Sequence, residues 1–288
     1  MDTYLDYARR GLTAWWRYLL AIVLALVIWI ALDVAIVVGL FATHLMPRDV
    51  AGELTKPSHP VLFFGANGLA FATIVLGLVI AMRLIQRKRF VDVIGQWRWR
   101  LFATGLGIWT VCLVGTTLVD FLLRPSGFHW SATPATPSLV VAALIGLGAQ
   151  TFTEEFVFRG YLTQGLLLAT KRPLVTALIS GAIFASLHIP NGWPQAAGAL
   201  VFGIVTAMIA MRTGGLGFGW GMHVANNLFG AILIVSTDDV LRGSPGVFTV
   251  AAPDLAWLDV AVSVVAFALV WVFVNRRWPA AAQPAQIA

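Results

Sequence analysis

The chain has 288 residues, of which 59% are hydrophobic and 11% charged, with a net charge of +6. An ordinary soluble domain carries about 25% charged residues, so a water-soluble core cannot hide this much apolar surface, and lipid must be the solvent for much of it. The positive balance does not mark a nucleic-acid binder, because the basic residues sit between long apolar runs, where they orient a membrane chain.

A membrane-spanning helix needs about 20 mainly apolar residues. In chain order such stretches fall at roughly 18–42, 61–82, 101–123, 139–168, 174–190, 194–211, 214–235 and 258–274. They predict an all-α polytopic bundle of about eight transmembrane helices, one membrane domain over 1–288. The first run is too long for a signal-peptide core and lacks a small-residue cleavage site, so it reads as a retained helix. The fourth is long enough to tilt or to emerge from the bilayer. Prolines punctuate the connections: Pro47, Pro57 and Pro60, Pro125, Pro134 and Pro137, Pro173, Pro245 and Pro253. The uncharged end, 279–288, reads as a disordered tail. There is no internal repeat, and the lone Cys112 permits no intramolecular disulfide.

With the N-terminus placed in the cytoplasm, 14 of the 19 Lys and Arg residues fall in inside segments and 4 in outside loops; Arg159 lies within a span. The positive-inside rule therefore predicts both termini on the cytoplasmic side of a cell membrane. Trp15, Trp16, Trp97, Trp99, Trp130, Trp193, Trp257 and Trp278 fall near span ends, as interfacial anchors do.

Ionisable groups inside hydrocarbon are costly and mark partners or wet cavities. Among the ionisable groups of the spans are Asp33, Asp120, Glu154, Glu155, Arg159, His188 and His223, five of these between 154 and 223. Glu155 and Arg159 are four apart on one helix face, in the order that favours an ion pair, so both read as a structural clasp. Glu154 has no cation at that spacing, and a poorly paired carboxylate in a dry site suits general-base work on water. Phe184 and His188 share a helix face lined with small residues, and His188 alone reads equally as a packing residue. His223 and Asn227 project together after a glycine-rich approach and offer donors to an oxyanion, or a plain interhelical hydrogen bond. Asn226 is one position off that face and is a weaker candidate.

In sequence these residues read Glu-Glu-x-x-x-Arg (154–159), Phe-x-x-x-His (184–188) and His-x-x-x-Asn (223–227). The ordered triple resembles the CAAX-protease and bacteriocin-processing family of intramembrane endopeptidases, the type II CAAX prenyl protease among them, and no position departs from the three motifs. The resemblance is carried by residues 150–232. It implies peptide hydrolysis within the bilayer by a motif-bearing core at about 139–235, with Glu154 as the water-activating base, His188 its partner, and His223 with Asn227 the oxyanion site. It also implies a peptide or protein substrate, prenylated in some members and tied to bacteriocins in others.

Two questions stay open at the level of sequence. His-Glu-x-x-His is absent, but Glu154, His188 and His223 would suffice as three zinc ligands, and equally for a metal-free glutamate mechanism, so no cofactor is assigned. A non-catalytic immunity or regulatory protein would use the same cavity for binding. A transporter would show matched broken helices in an internal repeat, which this chain lacks.

Overall fold

The structure, a computed structural model, describes residues 3–44, 59–131, 137–237, 241, 246–251 and 256–278. Pro47, Pro57, Pro134, Pro245, Pro253, Arg48, Lys56, Arg242 and the tail at 279–288 lie outside the described residues.

The chain begins with α1 (Tyr4–Ala8), α2 (Trp15–Ala42), α3 (Pro60–Gln86), α4 (Phe90–Ile94), α5 (Trp99–Leu123) and strand β1 (Phe128–Trp130). A continuous rod follows, made of α6 (Pro137–Glu154), a π-helical turn (Glu155–Leu162) and α7 (Thr163–Thr170). Then come α8 (Pro173–Ser186), α9 (Trp193–Thr213), α10 (Gly217–Leu228), a second π-helical turn (Phe229–Leu233), β2 (Ile234–Ser236), β3 (Phe248–Val250) and α11 (Ala256–Arg277).

Six helices are long and apolar enough to cross a membrane: α2, α3, α5, the 34-residue α6–π–α7 rod, α9 and α11. With the shorter helices they make an all-helical bundle, and the chain is an integral membrane protein. Two of the eight expected stretches are shorter than a full span. The one expected over 174–190 ends at Ser186, because Pro190 disfavours helix at the residue before it and the chain turns through a short 3-10 segment, Ile189–Asn191. The one expected over 214–235 starts only at Gly217, after Gly214 adopts a left-handed φ of 82°, and passes into β2 at Ile234.

The three strands were not expected. They form one small mixed sheet in the order β1-β3-β2, antiparallel between β1 and β3 and parallel between β2 and β3. Each is three residues long, too short for an alternating pattern to show.

Glycines let the central helices approach to backbone contact. A Cβ on Gly105 would lie 2.1 Å from the Phe218 carbonyl oxygen, and one on Gly221 would lie 2.2 Å from that of Phe102, so α5 and α10 touch along their backbones. Only 6% of the most apolar window of α2 and of α5 is buried, against 39% for the α6–π–α7 rod and for α9, so the first two are peripheral and lipid-facing. Trp99 and Trp193 begin α5 and α9 and are both exposed, as interfacial rings are.

The basic helix ends meet at one end of the bundle. There Arg17 Nη1 donates to the Ile85 carbonyl (2.6 Å) and Arg212 Nε to the Trp278 carbonyl (2.7 Å). At the same end Gln96 N donates to the Gly214 carbonyl (2.8 Å), which ties the α4–α5 connection to the start of α10.

Candidate active site

The paired glutamates sit where the central rod changes its winding. Glu154 is the last α-helical residue of α6 and Glu155 the first of the π-helical turn. A π turn widens the helix and redirects carbonyls that then need other donors. Thr163 Oγ1 donates to the Phe158 carbonyl (2.7 Å), and Tyr4 OH, from α1, donates to the Arg159 carbonyl and to that of Gly160. The terminal helix thus pins the turn that carries the charged residues.

Glu155 and Arg159 are fully buried. Arg159 Nη1 lies 3.3 Å from Glu155 Oε1, so the helical spacing does make the expected pair. Arg159 Nε donates to Thr206 Oγ1 on α9 (2.8 Å), and its guanidinium lies 4.1 Å over the Phe184 ring. The other side of Glu155 is open to the carboxylate because residue 219 is glycine; a Cβ there would sit 3.0 Å from Oε2.

His223 joins the two glutamates. Its Nδ1 is 2.9 Å from Glu155 Oε1 and its Nε2 is 3.5 Å from Glu154 Oε2. Glu154 Oε1 also accepts from Gln150 Nε2 (3.1 Å), whose Oε1 accepts from Asn67 Nδ2 on α3 (2.8 Å). A polar ladder of Asn67, Gln150, Glu154, His223, Glu155 and Arg159 therefore crosses the bundle.

His188 stands just beyond α8. Its ring packs on Phe184 with centroids 4.6 Å apart, and its Nδ1 lies 2.9 Å from the Phe184 carbonyl oxygen. Phe184 is thus a shelf touched by Arg159 and by His188. With Nδ1–H given to that carbonyl, His188 Nε2 keeps its lone pair. On α10, Asn226 Oδ1 accepts from Trp109 Nε1 (3.2 Å) and its Nδ2 donates to Asn227 Oδ1 (3.3 Å).

Glu154, His188, His223 and Asn227 all border one cavity of about 400 Å³, with Asn67, Gln150, Gln195 and Asn226 among its other polar walls. Glu155 and Arg159 do not border it. The histidine in direct reach of Glu154 is His223. The family resemblance implies His188 as the partner of Glu154; in the structure both border the cavity, and the imidazole nearest the carboxylate is that of His223. Gln150 and Asn67 went unread, although Gln150 stands four residues before Glu154 on an otherwise apolar helix.

The zinc alternative asks Glu154, His188 and His223 to converge. Among the described residues no group of three or more His, Cys, Asp or Glu side chains could hold a metal ion. Both ring nitrogens of His223 face carboxylates, and His188 Nδ1 faces a backbone carbonyl. Glu154, His188 and His223 are thus not gathered into a three-ligand group.

Residues 136–229 match the Rce1-like type II CAAX prenyl endopeptidases, a stretch that runs from the start of the central rod into the second π turn. The chain is 28% identical over 257 residues to the uncharacterized protein YyaK of Bacillus subtilis (strain 168), covering 84% of this chain and 85% of YyaK. No solved structure matches the chain.

Proposed function

We propose, from the premise that this chain carries an Rce1-like type II CAAX prenyl endopeptidase family domain, that it hydrolyses a peptide bond of a membrane-associated substrate inside the bundle. The observation that carries the reading is the placement of Glu154: it borders the cavity, while the adjacent Glu155 lies behind the wall with its Oε1 against Arg159 and His223.

The chemistry then divides by position. Glu154 takes a proton from a water molecule, and the resulting hydroxide attacks the carbonyl carbon of the substrate. His188 Nε2 accepts a hydrogen bond from that water and orients it. The tetrahedral oxyanion is met by the Asn227 amide and by the His223 Nε2–H, which Glu154 releases on taking the proton of the water, while Glu155 holds the ring through Nδ1. Glu154 returns the proton to the leaving amine as the C–N bond breaks. A dry, fixed site strengthens each of these interactions relative to water.

The test uses the purified full chain, with prenylated CAAX peptides and unprenylated membrane-protein peptides as substrates. Glu154→Gln abolishes turnover and leaves the thermal unfolding temperature within a few degrees of the parent. Near-normal turnover in Glu154→Gln would remove Glu154 from the role of base. A cavity used only for binding predicts partner retention by the same variant.

A further inference from the structure

The cavity has a direction. A second cavity of about 540 Å³ adjoins the first, and Asn191, Gln195, Asn226 and Ser263 border both. Each has the size of a ligand pocket, about 300–1,000 Å³. The second is walled by the C-terminal half of α5, the first turns of α9 and α11, and strands β2 and β3. All of these lie at the end of the bundle opposite the basic helix ends, the end that the positive-inside rule places outside the cell.

Toward the basic end the bundle is packed with rings. Phe90, Phe156, Phe152 and Trp220 follow one another in contact, and Trp220 also meets Trp97 and Phe102, with centroids 4.7–5.9 Å apart. None of these rings borders either cavity.

A peptide unwound for hydrolysis within a bilayer exposes N–H and C=O groups that lipid cannot satisfy. The second cavity offers Thr116, Thr117, Asn191, Gln195 and Ser236 as hydrogen-bonding walls for such a strand. Its charged lining is Asp120 and Asp259, and behind it Arg124 Nη2 lies 3.8 Å from Asp120 Oδ1. Two carboxylates against one cation leave a negative balance, which disfavours an acidic segment there.

We infer that the outer cavity is a substrate vestibule: an extended, non-acidic peptide segment enters from the face opposite the basic loops and passes Gln195 to reach Glu154. This rests on the hydrolase reading for what happens at Glu154, but not for the direction of access.

The test keeps the full chain in a Cys112→Ala background and introduces single cysteines at Gln195, Ser263 and Arg87. A membrane-impermeant cationic methanethiosulfonate is applied to intact cells and to inverted vesicles. Gln195→Cys and Ser263→Cys are modified in intact cells, and Arg87→Cys only in inverted vesicles. Protection of the two vestibule cysteines in intact cells would overturn the inference.

A second arm reads occupancy. In detergent, a bulky thiol reagent on Gln195→Cys slows cleavage of a lysine-flanked quenched peptide at least tenfold, and the same reagent on Arg87→Cys leaves it unchanged. Undiminished cleavage after full modification at Gln195 would also overturn it. Absence of cleavage before any modification would strike the hydrolase reading alone, because the labelling arm reports access without catalysis.

Discussion

Glu154 and Glu155 are neighbours in sequence with opposite surroundings: Glu154 borders the cavity, Glu155 lies behind its wall against Arg159, and His223 touches both. Spacing alone exposes the Glu155–Arg159 pair, since four residues on a helix place the two side chains together. It does not expose the bridge from His223 to both carboxylates, which depends on how α10 lies against the rod. Glu155 is therefore more than half of an ion pair: it also fixes the imidazole that faces Glu154. Removing one member of a buried charge pair typically costs about 3–5 kcal/mol. Glu155→Gln accordingly lowers the unfolding temperature and the turnover together; full stability with lost turnover would place Glu155 among the reacting groups. Asn227→Ala slows turnover by about 100–1,000-fold, the usual cost of one oxyanion donor, and leaves it measurable. Equal turnover in Asn227→Ala and the parent would remove Asn227 from the oxyanion site.

The elements that frame these residues were unevenly legible. The apolar runs show the long helices because their length alone separates them from strands. The π turn has no such signature: Glu155–Leu162 reads as ordinary helix, and only the side-chain donors that reach its carbonyls betray it. One of those donors comes from α1, an element too short for any periodicity. Tyr4→Phe leaves the Arg159 carbonyl without its donor, at a cost of about 1–3 kcal/mol, and turnover falls with it. Unchanged stability in that variant would show that α1 is not a clamp.

The same terminal segment is held by Asp92, which pairs with Arg10 (3.0 Å) and Arg89 (3.2 Å). Burial alone would raise the Asp92 carboxyl, but hydrogen bonds from the Arg89 side chain and backbone and from Arg10 outweigh it and hold the group below its ordinary value. The contribution is thus fully present above the unfolded value, about 3.9, and is lost as pH falls through the lower folded one. The protection factor against hydrogen exchange across residues 4–12, taken against the intrinsic rate at each pH, falls on acidification below about pH 4. A protection factor unchanged down to about pH 3 would mean that Asp92 does not anchor the segment.

At the scale of the whole molecule, the sequence reading anticipated eight hydrophobic stretches, and the helices lie where those stretches are. The two short ones escaped it because α8 ends at a proline-imposed turn, while α10 begins at a glycine turn and ends in a sheet. Their shortness bears on the lipid around them. At 1.5 Å per residue the 14 residues of α8 reach about 21 Å, while the hydrocarbon core of a bilayer is about 30 Å thick. Leu174, Leu178, Ile179, Ile183 and Leu187 of this region are exposed, so the short helix meets acyl chains directly. A short apolar surface draws the adjoining monolayer down to its own height, at a cost of fractions of a kcal/mol per ångström. The protein therefore carries a dimple in the bilayer with it, on the side where α8 ends at Ser186, just before His188. Thermal stability in vesicles peaks at short acyl chains and declines as chain length grows from 14 to 22 carbons, and the chain gathers in the thinner of two coexisting lipid domains.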